Sequence, residues 1–413
     1  MSTEGRSIDA ATATADLESA SFVRLVTRPA GDAFAACGVV VDALAEREIP
    51  YQVSAVRTVG ERTTLAEESQ ERGPADRTLV VGAVDGDATR LGSADRPATL
   101  EACDLVRELG STPNPVLALA GVVAAGVEPG AGETEWLLTD ALERNLLEQR
   151  PGVSVPIADP IDGLAHSTRV LAPWSGDRKA TRDAVSDLVP DAGTDAKSAT
   201  LERETHRKIS SLVAIDAVGA PNAVDSASHS VTRALSPYVR PVGSDDAPES
   251  TRQTRPDRSF ETIGGYADVL EATARVEPGT GIALAIGHDA RKPALEAWRE
   301  HGRSAHDALE SGSTGRYDGV FVVDVDDGPV ETVARLATAY RSPEPTVLAV
   351  GDGEAGISTR EDRTLGSTLE AVARDLDDDG VECGYDVGRR RGYLTYDPDV
   401  DDSTIISAVR GNL

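Results

Sequence analysis

Two α/β domains are what the sequence predicts. Short apolar runs such as "SFVRLVT" and "RTLVVGAV" have the length of buried strands, whereas "AFAACGVVVDALAERE", "ATLEACDLVRELG" and "PVLALAGVVAAGV" repeat apolar residues at helical spacing. Strands alternating with helices build a parallel sheet covered by helices. The alternation returns later in "YDGVFVVDV", "PVETVARLATAY" and "PTVLAVGD". Between the two regions "GSDDAPESTRQTRPDR", residues 243–258, lacks apolar periodicity and reads as a linker. A chain of 413 residues is long enough for such a division.

In chain order, residues 1–18 are polar and read as a flexible tail, and residues 19–242 as the first α/β domain with a helical connecting segment. Ligands of parallel sheets sit at the carboxyl ends of the strands, where "TRPAGD" and "DGDATR" fall. "RPGVSVPIADPIDGLAHSTRVLAPWSGD" leads into a polar, helix-prone stretch whose most apolar part is "SSLVAIDAVGA". Residues 259–413 form the second α/β domain, opening on "FETIGGYADVLEATARV" and a long helix "ARKPALEAWREHGRSAHDALE". They close on "TLGSTLEAVARDLDDD", "GVECGYDVGRRRGYLTYDP" and a last short helix.

The composition narrows the function classes. Lys and Arg total 41 against 70 Asp and Glu, a net charge of -29, and the lysines are Lys179, Lys197, Lys208 and Lys292 alone. Few aromatics, one Met and almost no Lys match the proteins of salt-loving microbes, in which acidic surfaces hold water. In molar salt the Debye length falls to about 3 Å, so net acidity does not exclude nucleic acid; only local contacts count. Cys37, Cys103 and Cys383 are far apart, with no CxxC pair, which suits a reducing cytosol and suggests neither zinc nor a disulfide framework. No stretch reaches the roughly 18 apolar residues of a membrane span and the first residues lack an apolar signal core, so a cytoplasmic protein is expected.

Taken in order, "ADPIDGLAHSTRVLAPWSG", "YADVLEATARVEPGTGIALAIGHDARKPALEAWREHG", "GISTRED" and "GYDVG" resemble segments of the DHH phosphoesterase superfamily. Within it the likeness is to the archaeal RecJ-like proteins, which include the GINS-associated nuclease, and it spans most of residues 20–410. The resemblance implies a DHH-like parallel-sheet domain and a smaller C-terminal DHH-associated domain facing each other across a cleft. It also implies a strand within "TGIALAIG". Active members hold two manganese or magnesium ions on aspartates and histidines at strand ends, where the metals activate water and stabilise phosphate charge.

Against that pattern the first motif is eroded. Thr27 stands for its histidine, Pro29 and Gly31 for its two aspartates and Asp32 for its glycine; Asp32 recovers one carboxylate only with a one-residue shift. Asp85 and Asp87 follow the second strand, either as a remnant ligand or as a solvated turn. The first histidine of the chain is His166, too late for an Asp-His-His motif, and Ala125 replaces the ligand of a Gly-Asp helix end. No catalytic residue and no cofactor are therefore expected, with Asp32, Asp85 and Asp87 as vestigial metal candidates.

In the C-terminal region the family's phosphate-holding Ser-x-Arg is matched by Ser358 and Arg360, while Cys383, Gly384 and Tyr385 replace its Gly-Gly-His. Arg389, Arg390 and Arg391 follow among tyrosines, a pattern that serves either single strands, through phosphate pairing and base stacking, or a salt-bridged surface strand. His301 and His306 are five apart, which is poor metal spacing on one helix face, and His166 reads as a packing histidine. The expectation is a catalytically degenerate binding module for single-stranded nucleic acid or for replisome proteins such as GINS, with no membrane role. The alternatives are an active manganese- or magnesium-dependent single-strand exonuclease drawing ligands from Asp32, Asp85, Asp87 and Asp95, and a small-molecule phosphate binder.

Overall fold

The structure, a computed structural model, describes residues 10–413 except 71, 72, 74, 87, 93–95, 190–201, 236, 242–259 and 363. In the first domain α1 (Ala10–Glu18) precedes β1 (Phe22–Thr27), α2 (Gly31–Glu46), β2 (Tyr51–Ala55), α3 (Val59–Gln70), β3 (Asp76–Val81) and β4 (Arg90–Leu91). The four strands are parallel in the order β2-β1-β3-β4. Helices α4 (Ala98–Glu108), α5 (Pro115–Ala124) and α6 (Glu135–Glu143) follow. The expected tail thus contains a helix, and α1 packs on α4. Residues 1–9 lie outside the described residues.

Helix α2 is apolar almost all round because α4, α5 and two later helices surround it. Its small residues permit that crowding: a Cβ on Gly38 would stand 2.4 Å from the Ala285 carbonyl oxygen.

A helical segment comes next: short β5 (Glu148–Gln149), then α7 (Pro160–His166), α8 (Arg178–Val185), α9 (Arg203–Gly219) and α10 (Ser226–Ala234), and β6 (Tyr238–Val239) pairing with β5. Helices α11 (Ile263–Val276), α12 (Pro278–Ala285) and α13 (Arg291–Ser311) then return to the first domain. Ile263, Tyr266, Leu270, Leu284 and Trp298 belong to the same core as Val23, Phe34 and Leu119. The expected linker 243–258 lies outside the described residues, and the domain expected over 259–413 shares its first part with the core of the parallel sheet. The segment "TGIALAIG" is helix α12, not the strand that the resemblance implied. Pro278 starts it at a position that needs no N–H, and Gly281 lets the Phe34 ring close on it, where a Cβ would sit 2.6 Å from the ring.

The second sheet contains β7 (Thr314–Tyr317), β8 (Val320–Asp324), α14 (Val330–Tyr340), β9 (Thr346–Gly351), β10 (Glu354–Thr359), α15 (Gly366–Asp378), β11 (Cys383–Gly388), β12 (Arg391–Tyr396) and α16 (Asp402–Asn412). Its order is β11-β12-β10-β9-β8-β7, with β8 and β9 parallel and every other pair antiparallel. Alternation along β9 sends Val347 and Ala349 to a core under α14, and Leu348 and Val350 to a core under α15 and α16. The chain is thus two α/β domains, as expected.

Buried polar groups fasten α11 and α13 to the segment after α7. Asp268 accepts from Trp298 Nε1 at 2.9 Å, Ser167 Oγ at 3.1 Å and Thr168 N at 3.1 Å. His306 Nε2 lies 3.0 Å from the Ser167 carbonyl oxygen and His301 Nε2 3.0 Å from Thr332 Oγ1. Burial pushes both imidazoles down to about 4.

This packing can be tested at two glycines and two histidines. A Cβ at residue 302 would meet the His166 carbonyl oxygen at 2.0 Å, so Gly302→Ala should cost about 1–3 kcal/mol or more in denaturant unfolding. Gly60→Ala, with nothing within 4 Å, should be neutral or stabilising by up to about 1 kcal/mol. For the histidines, the unfolded chain binds protons from about pH 6.5 and the folded chain only near 4. Their contribution is therefore full above about pH 6.5 and drains as pH falls toward 4. His301→Gln and His306→Gln should flatten that slope, which urea melts across the range would read.

Candidate functional site between the two domains

The carboxyl ends of β1 and β3 face the second domain across a cavity of about 570 Å³. The first domain contributes Arg28 and Asp85 from the loops after these strands, Asp32 from the first turn of α2, and Glu271 and Arg275 from α11. The second contributes Ser367 from α15, Tyr385 from β11, and Arg389 and Arg391 from the β11–β12 hairpin.

Arg28 follows β1 and crosses the cleft. Its guanidinium lies 3.1 Å from Asp386 Oδ2 and donates to the Val387 carbonyl oxygen at 2.8 Å. Arg62 of α3, fully buried, pairs with the other oxygen of Asp386 and donates to the Ala83 carbonyl oxygen at 2.8 Å. Burial of Asp386 opposes its charge, yet the Arg28 and Arg62 guanidiniums outweigh it and hold the carboxyl below its ordinary range.

Glu271 forms a second crossing. Its Oε1 accepts from Arg275 and from Arg391, each at 2.9 Å, and its Oε2 accepts from the Gly31 N–H at 2.9 Å. Burial works against ionisation here too, and Arg275 and Arg391 overcome it, so the carboxyl is held far below the usual range. Glu331 of α14 pairs with Arg275 at 2.9 Å and with Arg57, whose guanidinium also lies 3.6 Å from the Tyr393 ring centroid.

Asp32 belongs to the first turn of α2 and serves α4. It accepts from Ala98 N at 2.9 Å, from Thr99 N at 3.1 Å and from Thr99 Oγ1, which satisfies the helix start that Pro97 leaves without a side-chain cap. Burial raises its pKa. Asp85 sits in an exposed turn whose N–H donates to Thr63 Oγ1 at 3.0 Å. Asp87 and Asp95 lie outside the described residues.

The described donors do not fit a pair of divalent cations. Among the described residues no three Asp, Glu, His or Cys converge where they could hold a metal ion. His166 is spent against Asp162, with Nδ1 2.9 Å from its carbonyl oxygen, and its ring stands edge-on to Trp298. Arginines occupy the cleft instead.

Of the residues singled out in the C-terminal region, Tyr385, Arg389 and Arg391 line the cavity. Ser358 and Arg391 are partners across β10 and β12, so the two motifs are adjacent, but Ser358 is buried. Arg360 points elsewhere: it donates to the carbonyl oxygens of Thr338 at 2.9 Å and Ser342 at 2.8 Å, closing the carboxyl end of α14. Gly384 packs on Thr58, where a Cβ would stand 2.8 Å from its methyl. Arg390, at φ 58°, turns to Asp362 at 2.5 Å. Sequence reading missed Arg62, Glu271 and Glu331. A signal for Glu271 existed, since it interrupts an apolar run in "YADVLEATAR".

A parallel sheet and a mixed sheet meeting across such a cleft resemble the fold of a solved Cdc45 structure. Cdc45 from Entamoeba histolytica shares it with a TM-score of 0.60 at 8% identity, over 97% of both chains. RecJ in complex with Mn2+ from Thermus thermophilus gives a TM-score of 0.49 at 14% identity, over 97% of this chain and 54% of that one. Residues 312–411 match the family model for the C-terminal domain of the uncharacterized protein rrnAC1427. The rrnAC1427 protein of Haloarcula marismortui is 39% identical over 391 residues, 93% of this chain and 94% of that protein, and the chain belongs to its family.

Removing the charge of Asp386 leaves two buried guanidiniums without a counter-ion, so Asp386→Asn should destabilise by about 3–5 kcal/mol in chemical denaturation. Because the folded pKa is lowered, wild-type stability from this group is full above the ordinary carboxylate value of about 3.9 and is lost as pH falls through the lower folded value. Asp386→Asn should lack that acid limb.

Proposed function

We propose that this protein is a non-hydrolytic RecJ- and Cdc45-like binding module that recognises the phosphates of single-stranded nucleic acid and works beside replication proteins. One observation carries the reading: the loop that would offer carboxylates to metal ions sends Arg28 across the cleft to Asp386 instead. Water activation by two cations needs several ionised ligands left open toward the metals. Here Asp32 is tied to the start of α4 and Glu271 to the start of α2 and two arginines. The reading calls for no cofactor, and manganese or magnesium would enter only with an active exonuclease.

Binding is supported by what remains available. Arg389 and Tyr385 both line the cavity. Guanidinium on phosphate and ring on base are the two contacts by which proteins hold single strands. Replication proteins such as GINS are the partners that the resemblance to the GINS-associated nuclease implies.

The test is hydrolysis and binding on the same preparation. Single-stranded DNA and RNA should stay intact with manganese; robust cleavage abolished by Asp32→Ala or Asp85→Ala would make the protein an exonuclease. Fluorescence anisotropy should show binding that weakens with rising salt, since each phosphate contact releases counter-ions. Arg389→Ala should lower both the affinity and the slope, and Arg360→Ala should change neither.

A further inference from the structure

We propose that a second cavity, which shares Arg275 with the main cleft but has an acidic lining, binds a linear polyamine. It measures about 540 Å³, and small-molecule sites span roughly 300–1,000 Å³. Val325 and Gly351, at the carboxyl ends of the parallel strands β8 and β9, line it together with the start of α14 and one face of α13. The site is independent of whatever the main cleft holds.

Carboxylates outnumber cations in its wall. Asp326 and Asp327 follow β8, Asp352 sits in the β9–β10 turn, and all three are exposed. The guanidiniums of the wall, Arg57 and Arg275, are both drawn to Glu331 in the first turn of α14, with Arg275 at 2.9 Å. Negative charge accumulates at this end of the sheet: the Asp402 carboxyl is held above its ordinary range, first by burial and then by the charges of Asp324, Asp401 and Asp352. A cation seated among these aspartates would relieve their repulsion.

A buried nitrogen identifies the kind of cation. His301 belongs to the cavity wall and is 1% exposed. Its Nε2 meets Thr332 Oγ1 at 3.0 Å, whereas its Nδ1 is buried without a hydrogen-bond partner among the described residues. With the Nε2–H donated to Thr332, Nδ1 of the neutral ring is an acceptor, and an ammonium group, which has N–H donors and no acceptor, is its complement. A metal ion is not, because no three Asp, Glu, His or Cys among the described residues are grouped to hold one. Carboxylates spread round the space call for charges spread along the ligand. A linear polyamine carries ammonium groups at intervals, and Val276, Val325 and Val330 in the wall can cover the methylenes between them.

Calorimetry on the full chain at a fixed KCl concentration, with spermidine, magnesium chloride and tetralysine as probes, tests this. Spermidine should bind one to one and more tightly than the other two. Asp327→Asn combined with Asp352→Asn should weaken spermidine by about tenfold, through two exposed charge pairs. His301→Phe keeps a ring, removes the acceptor, and should weaken it by about tenfold, the size of one hydrogen bond to a charged group. Glu143→Gln, which removes an exposed charge on α6 outside the cavity, should match wild type. Circular dichroism and the melting temperature establish that each variant is folded, and the exposed aspartates carry the test if His301→Phe is not. No heat with millimolar spermidine would overturn the proposal, as would wild-type affinity in the double aspartate variant or in folded His301→Phe. Equal weakening by Glu143→Gln would overturn it in favour of general screening of an acidic surface. Tighter binding of magnesium or of tetralysine would overturn it in favour of a metal ion or a basic protein segment.

Discussion

The buried carboxylate of Asp386, held between Arg28 and Arg62, is the interaction on which the arrangement of the domains depends. Desolvating three charges costs several kcal/mol per ion, and the geometry must return it through direct pairing and through carbonyl acceptors such as those of Val387 and Ala83. Such a triad is a poor source of net stability compared with apolar packing, but it is stringent about position. Any opening of the cleft would strand charges in a medium of low dielectric. Glu271 with Arg391 and Glu331 with Arg57 repeat the device, so three carboxylates tie the two sheets in one relation.

The same pairs reverse the electrostatics of the cleft. Strand ends in a parallel sheet are a natural place for ligands, and helix starts beside them favour negative charge. A cation site would need free carboxylates there. This chain instead spends Asp32 and Glu271 on its own helix starts and lines the remaining space with guanidiniums, which suits an anion. Fold and chemistry thus separate: a fold shared with Cdc45 surrounds a cleft lined with guanidiniums.

Much of the fold was readable from local pattern. Strands β1 and β3 and helices α2, α4 and α5 follow from apolar runs and helical spacing, because burial against a sheet demands those periods. "TGIALAIG" misled because a short apolar run does not separate strand from helix; Pro278 and the packing of Gly281 on Phe34 decided it. The site was half legible. Tyr385, Arg389 and Arg391 stand at the cavity, whereas Arg360, beside Ser358 in the motif, closes α14. Arg360 lies just past the end of β10 at Thr359, where strand geometry no longer sets direction, so proximity in a motif does not fix where a side chain points.

By itself the sequence determined the α/β class, the strand ends where a ligand would sit and the absence of histidine before His166. These are properties of composition and short-range spacing, which the chain carries before it folds. Only the tertiary structure decided that Arg28 meets Asp386 from the opposite end of the chain, that Glu271 caps a helix begun at Gly31, and that α11 to α13 return to the first core. Pairings of that kind depend on which surfaces packing brings together and how deeply it desolvates them, and neither is written in any local stretch of residues.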